Sequence, residues 1–174
     1  MAVLVAAALL LLLAAMLQAR PRAAPVQVTV AGGTAVVGGL APDFTSEDLD
    51  GRTVRLSQFR GKPVLLNFWA TWCAACQDEM PVIQRANDRY HASGLTVLAV
   101  NYQQTDVTAM RAFLKRVDAK FGAVLDPAGQ IAAEYRVTVG LPVSVFIDRA
   151  GRVQVIQLGQ MSGPVLEQQL RTVL

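Results

Sequence analysis

The stretch that most constrains this chain is residues 65–81, because it holds both of the chain's cysteines, Cys73 and Cys76. A continuous apolar run, residues 64–69, leads into them and predicts a strand in the middle of a sheet, buried on both faces. The residues that follow predict a helix from about Ala74 to Ala92. The cysteine pair therefore stands at the junction between a buried strand and a helix.

A cysteine at the start of a helix is well placed for redox chemistry. The first N–H groups of a helix lack intrahelical partners and carry partial positive charge, which stabilises a thiolate and lowers the pKa of its thiol. We therefore predict that Cys73 is the nucleophile that attacks a client disulfide. Cys76 lies one turn further along, so its sulfur can reach that of Cys73 and resolve the mixed disulfide. The alternative interpretation is a pair of structural cysteines in the core.

Composition argues against several other uses of a cysteine pair. A structural zinc site needs four ligands, and the chain has two cysteines and one histidine, His91. Covalent haem attachment needs a histidine directly after the second cysteine, where this chain has Gln77. The net charge of +3 comes from interspersed acids and bases, which argues against nucleic-acid binding. We therefore predict no metal, no other cofactor and no nucleic-acid partner.

The rest of the chain alternates strands with helices, a pattern typical of an α/β sheet with helices on both faces. The dipeptide Asp50-Gly51 predicts a hairpin near the beginning of the domain, and Ala150-Gly151 predicts a turn in a second hairpin near its end. The predicted strands are residues 44–49, 52–56, 64–69, 95–101, 121–125, 143–148 and 153–158, and the predicted helices are residues 74–92, 105–117, 128–135 and 163–173.

The N-terminal segment is apolar, since the sixteen residues after the first methionine include no polar side chain. It is just long enough to cross a membrane. We predict a signal anchor over residues 1–19, a linker over 20–39 and a folded domain over 40–174, and a cleaved signal peptide is the alternative. Arg20 and Arg22 follow the anchor, and the preference of basic residues for the cytoplasmic side would by itself place the domain in the cytoplasm.

Six short motifs occur along the predicted domain: residues 41–44 (Ala-Pro-Asp-Phe), 61–64 (Gly-Lys-Pro-Val), 67–73 (Asn-Phe-Trp-Ala-Thr-Trp-Cys), 79–81 (Glu-Met-Pro), 140–142 (Gly-Leu-Pro) and 146–148 (Phe-Ile-Asp). Together they resemble the thioredoxin superfamily, and more narrowly the membrane-tethered thiol–disulfide oxidoreductases of the TlpA, ResA and CcmG type, with an AhpC/TSA-Redoxin-like domain. The resemblance covers nearly all of the chain from Leu40 on. It implies a thioredoxin-like fold, in which helices flank a central mixed sheet, with an N-terminal β-hairpin extension and one N-terminal membrane helix.

The resemblance also implies roles for individual residues. Pro142 matches the proline whose cis peptide bond lies beside the dithiol, where the backbone of Leu141 pairs with an extended client. Trp72 flanks the nucleophile and shapes the client surface. Glu79 matches an acidic residue three positions after the second cysteine, on the helix face of Cys76. Half-buried there, its carboxyl would have a raised pKa and would move protons to and from Cys76.

Two positions bear on how this chain uses its dithiol. Cytoplasmic thioredoxins have a buried aspartate where this chain has Asn67, and an amide does not exchange protons in that way, which leaves Glu79 as the partner of Cys76. The related oxidoreductases usually have proline before the second cysteine, where this chain has Ala75. Residues between the cysteines tune the reduction potential, and about 30 mV is equivalent to about 1.4 kcal/mol. The sequence therefore leaves open whether the protein prefers to reduce or to oxidise.

The residues and the resemblance together predict a protein disulfide reductase. The resemblance places its domain outside the cytoplasm, against the positions of the arginines, because such tethered domains serve exported clients. The clients would be proteins with disulfides or Cys-x-x-Cys thiols, such as apocytochrome c before haem attachment. The electrons would come from an upstream membrane donor of the thiol type.

Two alternatives use the same thiols. A peroxiredoxin shares the Pro-Asp-Phe and Gly-Lys-Pro motifs but needs a threonine three residues before its reactive cysteine, where this chain has Ala70. A copper-binding metallochaperone would use Cys73 and Cys76 as thiolate ligands, which suit Cu(I). The sequence shows no methionine or histidine cluster that would support it.

Overall fold

The computed structural model describes residues 25–174. The predicted membrane anchor, residues 1–19, and the first residues of the predicted linker lie outside this range. Within the described range, none of the helices combines the length and the apolar character that a membrane crossing requires.

Strands and helices alternate through the described chain. The strands are β1 (Thr29–Ala31), β2 (Asp43–Glu47), β3 (Thr53–Arg55), β4 (Val64–Trp69), β5 (Thr96–Tyr102), β6 (Gly122–Asp126), β7 (Val143–Ile147) and β8 (Val153–Leu158). The α-helices are α1 (Ala74–Tyr90), α2 (Val107–Arg116), α3 (Gln130–Glu134) and α4 (Gly163–Leu170), and short 3₁₀ helices span Leu56–Phe59 and His91–Ser93. Every strand and helix predicted from residue 44 on is present, with ends shifted by a few residues.

The larger of the two sheets is mixed, with the strand order β6-β5-β4-β7-β8. β4, β5 and β6 run parallel to one another, whereas β7 is antiparallel to β4 and β8 is antiparallel to β7. β4 lies in the centre and all of its residues are buried, as its unbroken apolar run predicts. The predicted α/β class with a central mixed sheet is confirmed.

Side chains alternate along the sheet and build one core on each of its faces. Leu65 and Trp69 point to the face that α1, α2 and α4 cover, and the two cysteines belong to this core. Leu66 and Phe68 point to the other face, which α3 and the N-terminal strands cover. Helices therefore flank both faces, but the second face has one short helix and is completed by the N-terminal extension.

A three-stranded antiparallel sheet, β1-β2-β3, forms that extension. β2 and β3 form the predicted hairpin around Asp50-Gly51, where Gly51 has a φ of +76° that glycine adopts without steric cost. β1 pairs with β2 and falls inside the predicted linker. Ala35 is buried there and donates its N–H to the O of Glu134 at 2.7 Å. The stretch from Thr29 on is therefore packed on the domain, because β2 satisfies its backbone hydrogen bonds.

Candidate active site

The two cysteines are joined where β4 passes into α1. β4 ends at Trp69, and the chain then turns so that the N–H of Cys73 donates to the O of Ala70 at 3.1 Å. Cys73 is the N-cap of α1, with extended backbone, and Cys76 lies in the first turn. Their sulfur atoms form a disulfide, with 5.2 Å between the two Cα atoms. The predicted strand–helix junction thus holds an oxidised dithiol.

The two sulfur atoms lie in different environments. Sγ of Cys73 accepts a hydrogen bond from the N–H of Cys76 at 3.1 Å, so it takes the place of a capping oxygen at the positive end of α1. After reduction, the same N–H and the same partial charge favour a Cys73 thiolate. Cys73 is 7% exposed and Cys76 is 1% exposed. Cys73 is therefore the more accessible of the two cysteines to an incoming sulfur.

Glu79 lies one helical turn after Cys76, in the core between α1 and the sheet, and is 1% exposed. Both of its carboxyl oxygens accept hydrogen bonds, Oε2 from Nδ2 of Asn67 at 2.8 Å and Oε1 from the N–H of Met161 at 2.7 Å. Burial raises the pKa of Glu79 to about 7, against the two hydrogen bonds, which lower it. The carboxyl therefore changes charge in the neutral range, where a proton carrier is most effective.

Asn67 links Glu79 to a neighbouring strand. It lies on β4 opposite Ser144 of β7, and its Nδ2 also donates to Oγ of Ser144 at 3.0 Å. Its Oδ1 is buried and has no hydrogen-bond partner within residues 25–174. The sequence predicts no proton transfer at Asn67. In the structure its amide instead donates the hydrogen bond that holds the carboxyl group of Glu79 in place. Ser144 and Met161 are not predicted from the sequence, because 77 and 82 residues separate the bonded pairs.

The Leu141–Pro142 peptide bond lies at the dithiol end of the sheet, since Val143 pairs with Phe68 near the end of β4. The bond is cis, as the sequence predicts. The O of Pro142 accepts from the N–H of Gly159 at 2.9 Å. The N–H and O of Leu141, by contrast, make no hydrogen bond within the described chain. This piece of backbone is therefore available to another chain.

Apolar side chains are exposed at this end of the sheet, with Trp72 67% exposed, Val139 75% and Leu158 53%. Trp72 directly precedes the capping cysteine, and Leu158 is the register partner of Val143, beside the cis-proline. Exposed apolar area of this kind is typical of a binding surface. The sequence predicts Trp72 in this role but not Val139 or Leu158, because an exposed valine or leucine at the end of a loop or strand has no sequence signature.

Polar side chains hold the turn that carries Trp72. The N–H of Thr71 donates to Oε1 of Gln104 at 2.8 Å, and Nε2 of Gln104 donates to Oγ1 of Thr71 at 2.7 Å. The buried Asn101, near the end of β5, donates from Nδ2 to the same Oε1 at 3.1 Å. We did not predict this network from the sequence. The sequence feature that could have indicated it is the parallel pairing of β4 and β5, because parallel strands bring the residues after β5 beside those after β4.

The site is a surface and not an enclosed cavity. Within residues 25–174, no group of three or more His, Cys, Asp or Glu side chains is arranged to hold a metal ion. A cleft of about 510 Å³ between the β2–β3 hairpin and α2 is lined by Asp50, Arg111 and Lys120 and by none of the residues around the dithiol. A macromolecular client that brings its own disulfide to Cys73 fits this arrangement.

A dithiol that opens a helix after the central strand of a mixed sheet, with a cis-proline at the same end, defines the thioredoxin-like class of thiol–disulfide oxidoreductases. The family model described as the AhpC/TSA family matches residues 37–156, and the chain belongs to this family.

Similar proteins and solved structures agree with this class. The thiol-disulfide oxidoreductase ResA of Bacillus thuringiensis subsp. konkukian is 36% identical over 137 residues, which are 79% of this chain and 78% of that protein. The crystal structure of a thiol:disulfide interchange protein, DsbE, from Chlorobium tepidum is 34% identical, with a TM-score of 0.69 over 82% of this chain and 97% of that one. A secreted Mycobacterium tuberculosis disulfide oxidoreductase homologous to E. coli DsbE is 26% identical, with a TM-score of 0.66 over 74% and 95% of the two chains.

The resemblance, the thioredoxin-like fold with its central mixed sheet and the disulfide-exchange activity are therefore confirmed, whereas the predicted membrane helix lies outside the described residues. The chain is a thiol–disulfide oxidoreductase with a thioredoxin-like fold, and Cys73 and Cys76 are its redox pair.

Proposed function

We propose that this chain reduces disulfides of client proteins outside the cytoplasm, with Cys73 as the attacking thiol and Cys76 as the resolving thiol. The observation that carries the proposal is the difference between the two sulfur atoms. Sγ of Cys73 caps the start of α1 in a residue that keeps a small exposed fraction, 7%, whereas Cys76 is enclosed at 1%. A client disulfide therefore meets one sulfur, and the other reacts only within the protein.

The exchange has two steps and starts from the reduced dithiol. The Cys73 thiolate attacks one sulfur of the client disulfide, the client S–S bond breaks, and the other client sulfur leaves as a thiolate that takes a proton from solvent. Cys76 then loses its proton and attacks Sγ of Cys73, which expels the second client sulfur. Two electrons pass to the client, and the protein is left with the Cys73–Cys76 disulfide.

Glu79 has the position and the pKa to take the proton of Cys76. It lies three residues further along, on the same face of α1, and its pKa is about 7. The hydrogen bonds from Asn67 and Met161 hold its two oxygens in place. A buried thiol without such an acceptor would keep its proton, because burial raises the pKa of a thiol. In this proposal Glu79 controls the rate of the resolving step.

Trp72, Leu141 and Pro142 form the client surface in this proposal. The exposed indole of Trp72 supplies apolar contact area. The unpaired N–H and O of Leu141 supply two main-chain hydrogen bonds for an extended client segment. Binding through the main chain depends little on client sequence, which suits an enzyme that acts on more than one protein.

The proposed location rests on the N-terminal segment and on the relatives. Residues 1–19 have the length and composition of a membrane anchor, and one relative is a secreted oxidoreductase. Thiols outside the cytoplasm oxidise unless a reductase acts on them. A tethered domain supplied with electrons by a membrane donor of the thiol type would keep Cys-x-x-Cys pairs reduced, and apocytochromes c are clients with this need.

A trapping experiment with the full chain tests the proposal. In Cys76→Ala the mixed disulfide on Cys73 has no resolving thiol, so a covalent complex with a disulfide-containing client should accumulate. Cys73→Ala should form no complex and reduce no disulfide. Equal trapping by both variants would contradict the assigned roles. Peroxide consumption well above that of a free thiol, without disulfide reduction, would favour the peroxidase alternative.

A further inference from the structure

The end of the sheet opposite the dithiol has a surface of its own. β4 begins there at Val64, which pairs with Ile147 at the end of β7, so the loop before β4 and the β7–β8 turn lie together. The dithiol follows the far end of β4, which is six residues long. At about 3.3 Å per residue, the two ends are about 20 Å apart.

Three apolar and three cationic side chains are exposed at this end, and we call them the basic end surface: Val36, Val37, Leu40, Arg60, Lys62 and Arg152. Backbone and guanidinium contacts join the segments that carry them. The N–H of Gly38 donates to the O of Val153 at 2.7 Å, and Nη1 of Arg152 donates to the O of Gly38 at 3.0 Å. Nη1 of Arg60 donates to the O of Ala150 at 2.7 Å. The surface is therefore one continuous patch.

The patch carries a net positive charge. Arg60, Lys62 and Arg152 form no ion pair with any carboxylate of residues 25–174. A fourth exposed cation, Arg149, lies in the same turn and donates from Nη2 to the O of Leu174 at 3.1 Å. Asp148 is the carboxylate of this turn, and its oxygens accept from the N–H of Arg152 and from Gln154. Asp148 also attracts Arg152 electrostatically, so Arg60 and Lys62 in particular have charge available for a partner outside the chain.

We propose that the basic end surface binds an anionic lipid bilayer. Guanidinium and ammonium groups bind the phosphates of lipid headgroups, and apolar side chains set between them enter the boundary between headgroups and acyl chains. An acidic protein would match the charges but would leave the valines and the leucine exposed to water. The apolar N-terminal segment ends at Leu17, shortly before this surface in the chain, and anchored there it keeps the surface within reach of a membrane.

This inference rests on the membrane anchor of the proposed function but does not depend on the roles of the cysteines or of Glu79. It fixes how the domain is oriented. With the basic end surface on the bilayer, the dithiol points away from the membrane, toward clients that approach from the aqueous side. Without it, a tethered domain would present its dithiol in all directions, including toward the lipid.

Two exposed valines at opposite ends of the sheet provide a matched test. Val37→Trp places an indole in the basic end surface, and Val139→Trp places one at the dithiol end. Both are made in the full chain with Trp72→Phe, which leaves the buried Trp69 as the only other indole. The proteins are reconstituted into vesicles of phosphatidylglycerol or phosphatidylcholine with brominated acyl chains, which quench an indole that touches them.

We expect quenching and a blue shift of Val37→Trp in phosphatidylglycerol vesicles, and neither change for Val139→Trp. Phosphatidylcholine vesicles should quench Val37→Trp much less. At 1 M salt the Debye length falls to about 3 Å, so the quenching should be relieved, as it should be by adding Arg60→Glu and Lys62→Glu. Absence of quenching at position 37, equal quenching at position 139, or quenching that survives charge reversal would overturn the proposal. Burial of the indole at position 37 that depends on protein concentration and not on lipid would instead assign the surface to a second copy of the chain.

Discussion

The two ends of the mixed sheet differ in where they keep their charge. At the dithiol end the ionisable group beside the cysteines, Glu79, is buried, and the exposed side chains Trp72 and Val139 are apolar. At the opposite end Arg60 and Lys62 are exposed beside apolar residues. Burial moves the pKa of Glu79 into the neutral range, where the proposed proton transfer from Cys76 would take place. Exposed cations act over a longer distance, and salt screens them.

The exposed apolar side chains also fall into two groups, one at each end of the mixed sheet. Among residues 25–174, all the large ones lie at the two ends of the sheet, with Trp72, Val139 and Leu158 at the dithiol end and Val36, Val37, Leu40 and Leu174 at the basic end. The two groups match the two binding surfaces that we propose, one for a client disulfide and one for an anionic bilayer. Variants at one end should leave the other end unchanged.

The largest expected effect concerns the stability that Glu79 contributes. Its folded pKa of about 7 lies above the unfolded value of 4.5, so the folded state favours the protonated carboxyl. That contribution is fully present below pH 4.5 and is lost as the pH rises through 7. At about 1.4 kcal/mol per pKa unit, Glu79→Gln should remove about 3 kcal/mol of pH dependence between pH 4 and pH 8.

Urea unfolding of the oxidised protein at both pH values measures this difference. Asp78→Asn, an exposed acid on the same helix, is the matched control and should leave the pH dependence close to that of the wild type. If Glu79→Gln and the wild type lose stability equally with rising pH, the carboxyl titrates normally and its role as a proton carrier loses its basis.

The second effect is on the rate of the resolving step. A glutamine at position 79 cannot accept a proton, so the mixed disulfide should decay about 100-fold more slowly, at the low end of what general acid–base groups contribute. In the wild type the decay should accelerate from pH 6 and level off above pH 7, as Glu79 ionises. Rapid-quench kinetics with a model peptide disulfide measures both. An unchanged rate and pH profile in Glu79→Gln would assign proton transfer to another group.

A smaller effect is expected from the turn that carries Trp72. Gln104→Ala removes the two hydrogen bonds to Thr71 and the one from Asn101. Each hydrogen bond contributes about 1 kcal/mol to holding the turn. A loss of about 1.4 kcal/mol in client binding from the looser turn should raise the KM for a protein disulfide about tenfold and leave the pH profile of the resolving step as it is. Gln130→Ala, an exposed glutamine on α3, is the control. Equal KM values for the two variants would show that the turn needs no such support.

The smallest expected effect concerns the basic end. Arg60→Glu combined with Lys62→Glu should change the free energy of unfolding by about 0.5 kcal/mol or less, as is usual for exposed positions. Reduction of a soluble peptide disulfide in the absence of lipid should be as fast as in the wild type. A slower reaction would show that the two ends are coupled through the sheet.

Local patterns explain what could be predicted from the sequence. Six buried residues, a capping cysteine and an i+3 carboxyl specify β4, the dithiol and Glu79, because each depends on neighbours within one strand or one helical turn. The contacts of Asn67 with Ser144 and of Glu79 with Met161 join distant parts of the chain. No local sequence pattern predicts these two contacts.

The N-terminal extension is a second case in which local sequence does not determine the structure. Prolines and glycines flank the valines of residues 26–30, which favours a tether on composition alone. β1 forms because β2 offers its edge and because the turn at Ala35 packs on α3. Those partners are fixed by the tertiary structure, so the sequence could suggest a strand there but could not decide for it.

Alkylation of the reduced protein tests the difference between the two sulfur atoms most directly. A limiting amount of iodoacetamide at pH 7, followed by mass spectrometry of the fragments, reports which cysteine carries the reactive thiolate. The structure predicts modification of Cys73, with Cys76 protected until the protein unfolds. Modification of Cys76 first, or of both at equal rates, would contradict the assignment of the more accessible cysteine as the attacking thiol and the enclosed one as the resolving thiol.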